Sequence, residues 1–270
     1  MYCDSHCHPF DLLDQLSNNE LESCLKGTAI AASSWNLEQF EYHESLEKKA
    51  IGAPVFLCFA VHPQLPASLE QNMEPFSIIS DLYLPLLENL ARERRLHAIG
   101  ECGFDLFNDE YKETEKIQDE IFIHHLDIAL NYSLPMVIHA RRAMHKIFTH
   151  TKKLSKLPAV IFHSWPGTPG EGEALLRRGV NAYFSFGTVI TGKRKESRRS
   201  CALFHAEKIL FETDAPYLPL RGKTFSSWVD LEIICKTAAE LRKEAGTPVN
   251  NPEELEAICE NNFYKAFSGA

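Results

Sequence analysis

Eight short apolar runs, each followed by a segment with helical patterning, alternate through the 270 residues of this chain. The strands are expected at Tyr2 to Ser5, Thr28 to Ser33, Val55 to Val61, Leu96 to Gly100, Pro135 to Ile138, Pro158 to Phe162, Ala182 to Phe186 and Lys208 to Phe211. The helices are expected at Asn18 to Lys26, Asn36 to Ala50 (ending near Gly52), Ile79 to Arg94, Glu113 to Tyr132, Arg142 to Leu154, Gly172 to Arg178, Ser200 to Ala206, Ser226 to Glu244 and Pro252 to Phe267. Strict strand–helix alternation builds right-handed βαβ units and a parallel sheet. Runs such as Val55-Phe56-Leu57-Cys58-Phe59-Ala60-Val61 fit strands covered on both faces. Eight units predict an α/β fold, a TIM (β/α)8 barrel with an extra C-terminal helix. An open doubly wound sheet fits less well, because no Gly-rich phosphate turn follows the first strand. No linker or low-complexity segment interrupts the pattern. Residues 1–270 are therefore read as one barrel domain, near the usual size of about 250 residues.

The ends of these runs carry the chemistry. Asp4-Ser5-His6-Cys7-His8 opens the chain, and Glu101, His139, His163 and Asp214 each close a later apolar run. Polar ligand-type residues at the ends of several different strands are what an active site on a barrel rim requires. A strand's period of two puts His6 and His8 on one face, where both imidazoles can bite one cation. Asp214 can enter as a third ligand, and Glu101 can bridge two ions with its two oxygens. His139 and His163 then serve the second ion. Imidazole with carboxylate suits magnesium, manganese or zinc without choosing among them. A pair of ions ~3.5–4 Å apart can activate a water and clamp the attacked and leaving oxygens. Asp214, and Glu101 with it, are the candidate catalytic residues, Asp214 to orient the water or take its proton. Singly, each piece has an ordinary explanation: His-x-His is often core or surface, and His139 or His163 can cap a helix. Cys3 and Cys7 with His6 and His8 could instead form a structural zinc knot, but such sites fold a loop around the ion and this segment reads as extended. Together, six ligand-type residues at five strand ends are hard to obtain by chance.

Composition narrows the classes further. The formal net charge is -9, which argues against coating duplex nucleic acid with many basic contacts. It leaves room for a nucleic-acid enzyme whose ions supply positive charge locally. The eight cysteines are scattered, and Met1-Tyr2-Cys3-Asp4 lacks a basic n-region and an apolar h-region. Reduced thiols and a cytoplasmic protein, with no membrane association, are expected.

With these motifs in place, the chain resembles the TatD-related metal-dependent hydrolases, a family mostly described as deoxyribonucleases. The resemblance runs through Asp4-Ser5-His6-Cys7-His8, Val61-His62-Pro63, Gly100-Glu101-Cys102-Gly103-Phe104-Asp105, His139-Ala140-Arg141, His163-Ser164-Trp165-Pro166-Gly167 and Glu212-Thr213-Asp214-Ala215-Pro216-Tyr217-Leu218. Gln118, Phe122 and His125 match the helix before the fifth strand, and Asn262-Phe263 the closing helix. It implies two divalent metal ions, one held by His6, His8, Glu101 and Asp214, the other by Glu101, His139 and His163. It also implies phosphodiester hydrolysis on DNA; because a deep barrel mouth admits one exposed nucleotide more easily than a duplex, a 3'-5' exonuclease acting on single strands or strand ends is expected. All six ligand positions are intact. Departures fall elsewhere: Leu106-Phe107-Asn108 replaces a basic residue after Asp105, Ser164-Trp165-Pro166 replaces Cys-Phe-Ser, and Lys223-Thr224-Phe225-Ser226 follows Arg221-Gly222. These bear on substrate preference rather than on the metals.

Further residues are candidates on the substrate side. Arg141 can fork onto a phosphate, or be a solvated helix-start arginine. His62 can bond a phosphate or the attacking water, or be set by Pro63. Asp105 can orient a ligating histidine, or cap its loop. The basic run from Lys193 to Arg199 can track a strand, although such runs are commonly solvated loops. Trp165, Phe104 and Phe107 are candidates for stacking on a splayed base, with packing as the alternative. No protein partner is evident; DNA is the expected partner. The competing function is an amidohydrolase-like enzyme acting on another ester or amide, such as a lactone or an aminoacyl-tRNA ester. Glu101 stands where several of those enzymes carry a modified lysine. A non-catalytic metal-binding or partner-binding protein is the third class.

Overall fold

A computed structural model describes residues 1–49, 54–69 and 75–268. Eight strands, β1 (Cys3–Cys7), β2 (Ala29–Ser34), β3 (Val55–Phe59), β4 (Ala98–Asp105), β5 (Met136–Arg141), β6 (Val160–Phe162), β7 (Ala182–Phe186) and β8 (Ile209–Phe211), form one sheet in sequence order. Every ladder from β1 through β8 is parallel. The chain just past β8 returns to β1: Asp214 N–H donates to the His6 carbonyl at 3.0 Å, and His8 N–H to the Ala215 carbonyl at 2.7 Å. Buried Asp4 reinforces that closure by accepting from the Thr213 amide at 3.0 Å and its hydroxyl at 2.6 Å. Burial pushes the Asp4 carboxyl up to about 8, against the bonds from Thr213 and His6. The result is a TIM barrel.

The principal helices are α1 (Asn18–Leu25), α2 (Leu37–Lys49), α3 (Leu84–Arg92), α4 (Glu115–Tyr132), α5 (Met144–Thr149), α6 (Pro169–Arg177), α7 (Lys195–Leu203), α8 (Leu231–Glu244) and α9 (Pro252–Phe267). Local sequence starts several of them. Ser17 with Glu20, and Thr168 with Glu171, form capping boxes at α1 and α6, and Asn251 caps α9 ahead of Pro252. The expected stop of the second helix at Gly52 lies outside the described residues. Several expected helices change: Ile79–Tyr83 winds as a π-helix ahead of α3, and α8 starts at Leu231 behind a 3-10 turn at Trp228–Asp230. The segment from Arg142 to Leu154 is broken at His150 into α5 and a one-turn α-helix at Thr151–Leu154. The seventh helix begins at Lys195, five residues before Ser200. Ser200 lies within that helix, and its buried hydroxyl accepts from the Trp165 indole and donates to the Gly167 carbonyl.

Two apolar layers flank the strands. Outward residues such as Ile30, Leu57, Phe59, Ile138 and Phe162 pack under the helices, while Ala31, Phe56, Cys58, Val137, Ile161 and Leu210 fill the barrel. The lower end of that interior is closed by α9, whose Phe263, Ala266 and Phe267 join the inner cluster. Asn262 ties α9 down by donating to the Ala206 and Ile209 carbonyls at 2.8 and 2.9 Å. The opposite end, where the strands finish, stays open. All eight cysteines are unpaired. Among the described residues, no helix is long and apolar enough to cross a membrane.

Candidate metal centre

Two irregularities in the sheet aim the ligand-type residues. In β1, Cys3 packs in the inner cluster and the Ser5 hydroxyl meets that of Ser185 at 2.6 Å, both inside the barrel. Simple alternation would then turn His6 outward. The β1–β2 register shifts by one residue between Asp4 and Cys7, and His6 and His8 both face inward with their Nε2 atoms 3.2 Å apart. β4 repeats the device: its register with β5 shifts between Ile99 and Cys102, so Ala98 and Glu101 both point into the barrel while Cys102 packs outside. An extra residue in one strand re-aims a side chain, as bulges commonly do beside active sites.

Glu101 divides its two oxygens between two sets of imidazoles. Oε2 lies 3.1 Å from His6 Nε2 and 3.6 Å from His8 Nε2. Oε1 lies 2.7 Å from His139 Nδ1, 3.2 Å from His163 Nε2 and 3.4 Å from His62 Nε2. Asp214 Oδ1 stands 3.6 Å from His6 and 3.5 Å from His8. Three groupings bring ligand atoms within 4.8 Å of one another: His6, His8 and Glu101; His6, His163 and Asp214; His62, Glu101 and His139. The six residues singled out in the sequence thus meet in one place. His62, read from the sequence as a substrate contact, stands against Glu101 with them. The donors are carboxylate oxygens and imidazole nitrogens, a set that fits divalent metal ions.

Electrostatics follow from this crowding. Burial opposes ionisation of Glu101, but His62, His163 and His6 around it hold the carboxyl well below its usual range. Asp214 is likewise held low against burial, chiefly by His8 and His163. Burial lowers His6, with His163 nearby adding to the effect. His163 is raised well above an ordinary imidazole because Glu212 and Glu101 outweigh its burial. His139 is raised against burial by Asp105 and Glu101.

Supporting groups surround these side chains. Asp105, fully buried, lies 3.2 Å from His139 Nε2, accepts from Gln64 at 2.7 Å and stands 3.9 Å from Arg141. Ser33 Oγ is 3.1 Å from His6 Nδ1. Glu212, named in the sequence only as the start of the motif that ends β8 and given no role there, lies 3.2 Å from His163 Nδ1 and accepts the Ser164 N–H at 2.7 Å. Its signal was its place two residues before Asp214 on the same strand end, which puts it on the same face. Two of the three proposed stacking aromatics are excluded: Trp165 and Phe104 are fully buried in the core. The third, Phe107, is exposed, but the Arg141 guanidinium lies 3.5 Å over its ring and that of Arg142 4.6 Å. Arg141 and Arg194 line the mouth above the cluster, a cavity of about 590 Å³.

A barrel of this kind, with histidines and carboxylates converging at its open end, defines the class of metal-dependent hydrolases. The chain belongs to the TatD related DNase family, which it matches over residues 3–268. It is 37% identical over 138 residues to a "3'-5' ssDNA/RNA exonuclease TatD" of Escherichia fergusonii, a match spanning 50% of this chain and 52% of that relative. It is 26% identical over 229 residues to the "Uncharacterized metal-dependent hydrolase YjjV" of Escherichia coli K12, covering 82% of each. The crystal structure of E. coli YjjV, a TatD homologue, superimposes with a TM-score of 0.80 at 25% identity, over 100% of this chain and 98% of that one. An uncharacterised amidohydrolase from Saccharomyces cerevisiae shares the fold, with a TM-score of 0.76 at 14% identity.

Proposed function

We propose that residues 1–270 act as one catalytic barrel that hydrolyses phosphodiester bonds at the ends of single-stranded nucleic acid. The carrying observation is Glu101, whose two oxygens face two separate groups of histidines on the floor of the open mouth. In this reading His6, His8, Glu101 and Asp214 hold one divalent ion, and Glu101, His139 and His163 hold a second. Bound there, the ions supply Lewis-acid activation of water and neutralise charge on the phosphate. The protein's own groups do the rest. Asp214, whose Oδ1 faces His6 and His8, would orient the attacking water and take its proton. Asp105 keeps the His139 ring oriented, as carboxylates beside ligating imidazoles do. Arg141 and His62, on the same rim, bind the phosphate, the guanidinium by its fork. A strand end reaches the floor of this mouth more easily than a duplex, and the E. fergusonii relative is named for 3'-5' action on single-stranded DNA and RNA.

The test is cleavage of a 5'-labelled single-stranded DNA oligonucleotide with magnesium or manganese. Shortening from the 3' end that a chelator abolishes is expected. No cleavage by metal-loaded protein would overturn the nucleic-acid reading in favour of another ester or amide substrate.

A further inference from the structure

The mouth of the barrel is two-sided. Going round the rim in strand order, the segments after β8, β1 and β2 contribute Tyr217, Asp11 and Trp35, while the end of β5 and the segment after β7 contribute Arg141 and Arg194. Glu110 is exposed after β4, at the boundary between the halves. One wall therefore carries Trp35 and Tyr217 with an acidic neighbour and the opposite wall Arg141 and Arg194, with Tyr111 beside Glu110 between them. The metal-type cluster lies on the floor between them.

Trp35 is the residue that neither the core nor the chemistry explains. It directly follows β2, is 36% exposed and belongs to none of the buried apolar clusters. It is held as a platform: its backbone N–H donates to the Gln39 side chain at 3.1 Å, and Tyr83 stacks on it with ring centroids 6.4 Å apart and planes at 25°. Tyr217, 51% exposed, is fixed in turn by its hydroxyl on Asp11 at 3.0 Å. An indole face open to a cavity beside a phosphate-type catalytic floor is suited to a flat, neutral aromatic group. Asp11 on that side repels phosphate, so the backbone of the same ligand belongs on the arginine side.

We propose that Trp35, with Tyr217 beside it, is a stacking subsite for an unpaired nucleobase, opposite the Arg141–Arg194 wall that takes the strand's phosphates. The proposal rests on the nucleic-acid reading above and deepens it. Only a base freed from its helix can present a face to this wall, and stacking of this type tolerates any base.

The fold supplies its own reporter. Of the three tryptophans, Trp165 and Trp228 are buried, and only Trp35 is open to solvent. The experiment compares 5'-labelled single strands with and without bases, the abasic strand having the same phosphates, against the full chain and its Trp35→Ala and Trp35→Phe variants. Binding of the base-bearing strand quenches tryptophan fluorescence in the parent protein, and the abasic strand does not. Trp35→Ala weakens the base-bearing strand by about tenfold or more and leaves the abasic strand unchanged, while Trp35→Phe keeps most of the affinity. A purely structural role would weaken both strands alike, which overturns the subsite; so does equal affinity of the parent protein for the two strands. If neither strand binds or is cut, the nucleic-acid reading fails and the subsite with it.

Discussion

Asp214 illustrates how much the site asks of one residue. Its backbone is left-handed at φ 56°, a region Asp tolerates better than most residues. Its amide closes the barrel onto His6, and its carboxylate faces both His6 and His8. Ser164 and Arg142, directly past or near the ends of β6 and β5, are also left-handed, at φ 43° and 57°. Strained backbone of this kind collects at functional sites. Asp214→Asn preserves shape and removes charge. Its thermal melting should stay near that of the parent chain while turnover falls by roughly 10²–10⁴-fold, the range for a lost general base. Near-parental turnover in oligonucleotide cleavage would remove Asp214 from its assigned role. Most of these residues were legible because each ends an apolar run. Glu212 stood inside a quoted motif without being given a role, because its contact with His163 exists only in the fold, and Trp35 was missed because a rim aromatic carries no motif of its own.

Among the elements, β4 and β5 set the site's tolerance. Gly103 has φ +132°, and a Cβ there would lie 2.1 Å from the His139 carbonyl oxygen. The backbone of β4 thus presses against the residue that faces Glu101 and Asp105. Gly103→Ala must move β5 or break the ladder. A loss of several kcal/mol is expected, at the upper end of the 0.5–3 kcal/mol usual for point changes, together with weaker metal uptake. Denaturant unfolding and metal analysis of the purified variant check both; a protein as stable and metal-replete as its parent would show that the strands have slack. At this scale the sequence foretold strand identity well and strand length poorly. β4 runs on to Asp105 instead of stopping near Gly100, because its ladder with β5 continues through the motif. The start of α7 was misplaced because the basic run before Ser200 reads as a solvated loop, whereas Lys195–Arg199 forms the first turns of the helix.

Over the whole molecule, the barrel separates stability from chemistry. α9 plugs the lower end, where Phe263 packs edge-on against Phe56 at 5.1 Å and beside Phe267 at 4.8 Å. Phe263→Ala should cost about 3–5 kcal/mol, as for other buried Phe truncations. Turnover per folded molecule at low temperature should persist, because the cavity opens at the other end. Urea unfolding followed by activity against folded fraction measures this, and a variant that stays fully folded yet loses turnover would show the two ends to be coupled. The sequence by itself determined the alternation, and with it the barrel, the closing helix and the identity of the converging ligands, because hydrophobic periodicity and strand-end position are local properties. Only the tertiary structure decided which way those ligands face. Strict alternation from Cys3 or Ala98 would have turned His6 and Glu101 outward; the register shifts in β1 and β4 bring them in. A bulge is defined by a neighbouring strand's count of residues, and that count exists only once the strands are paired.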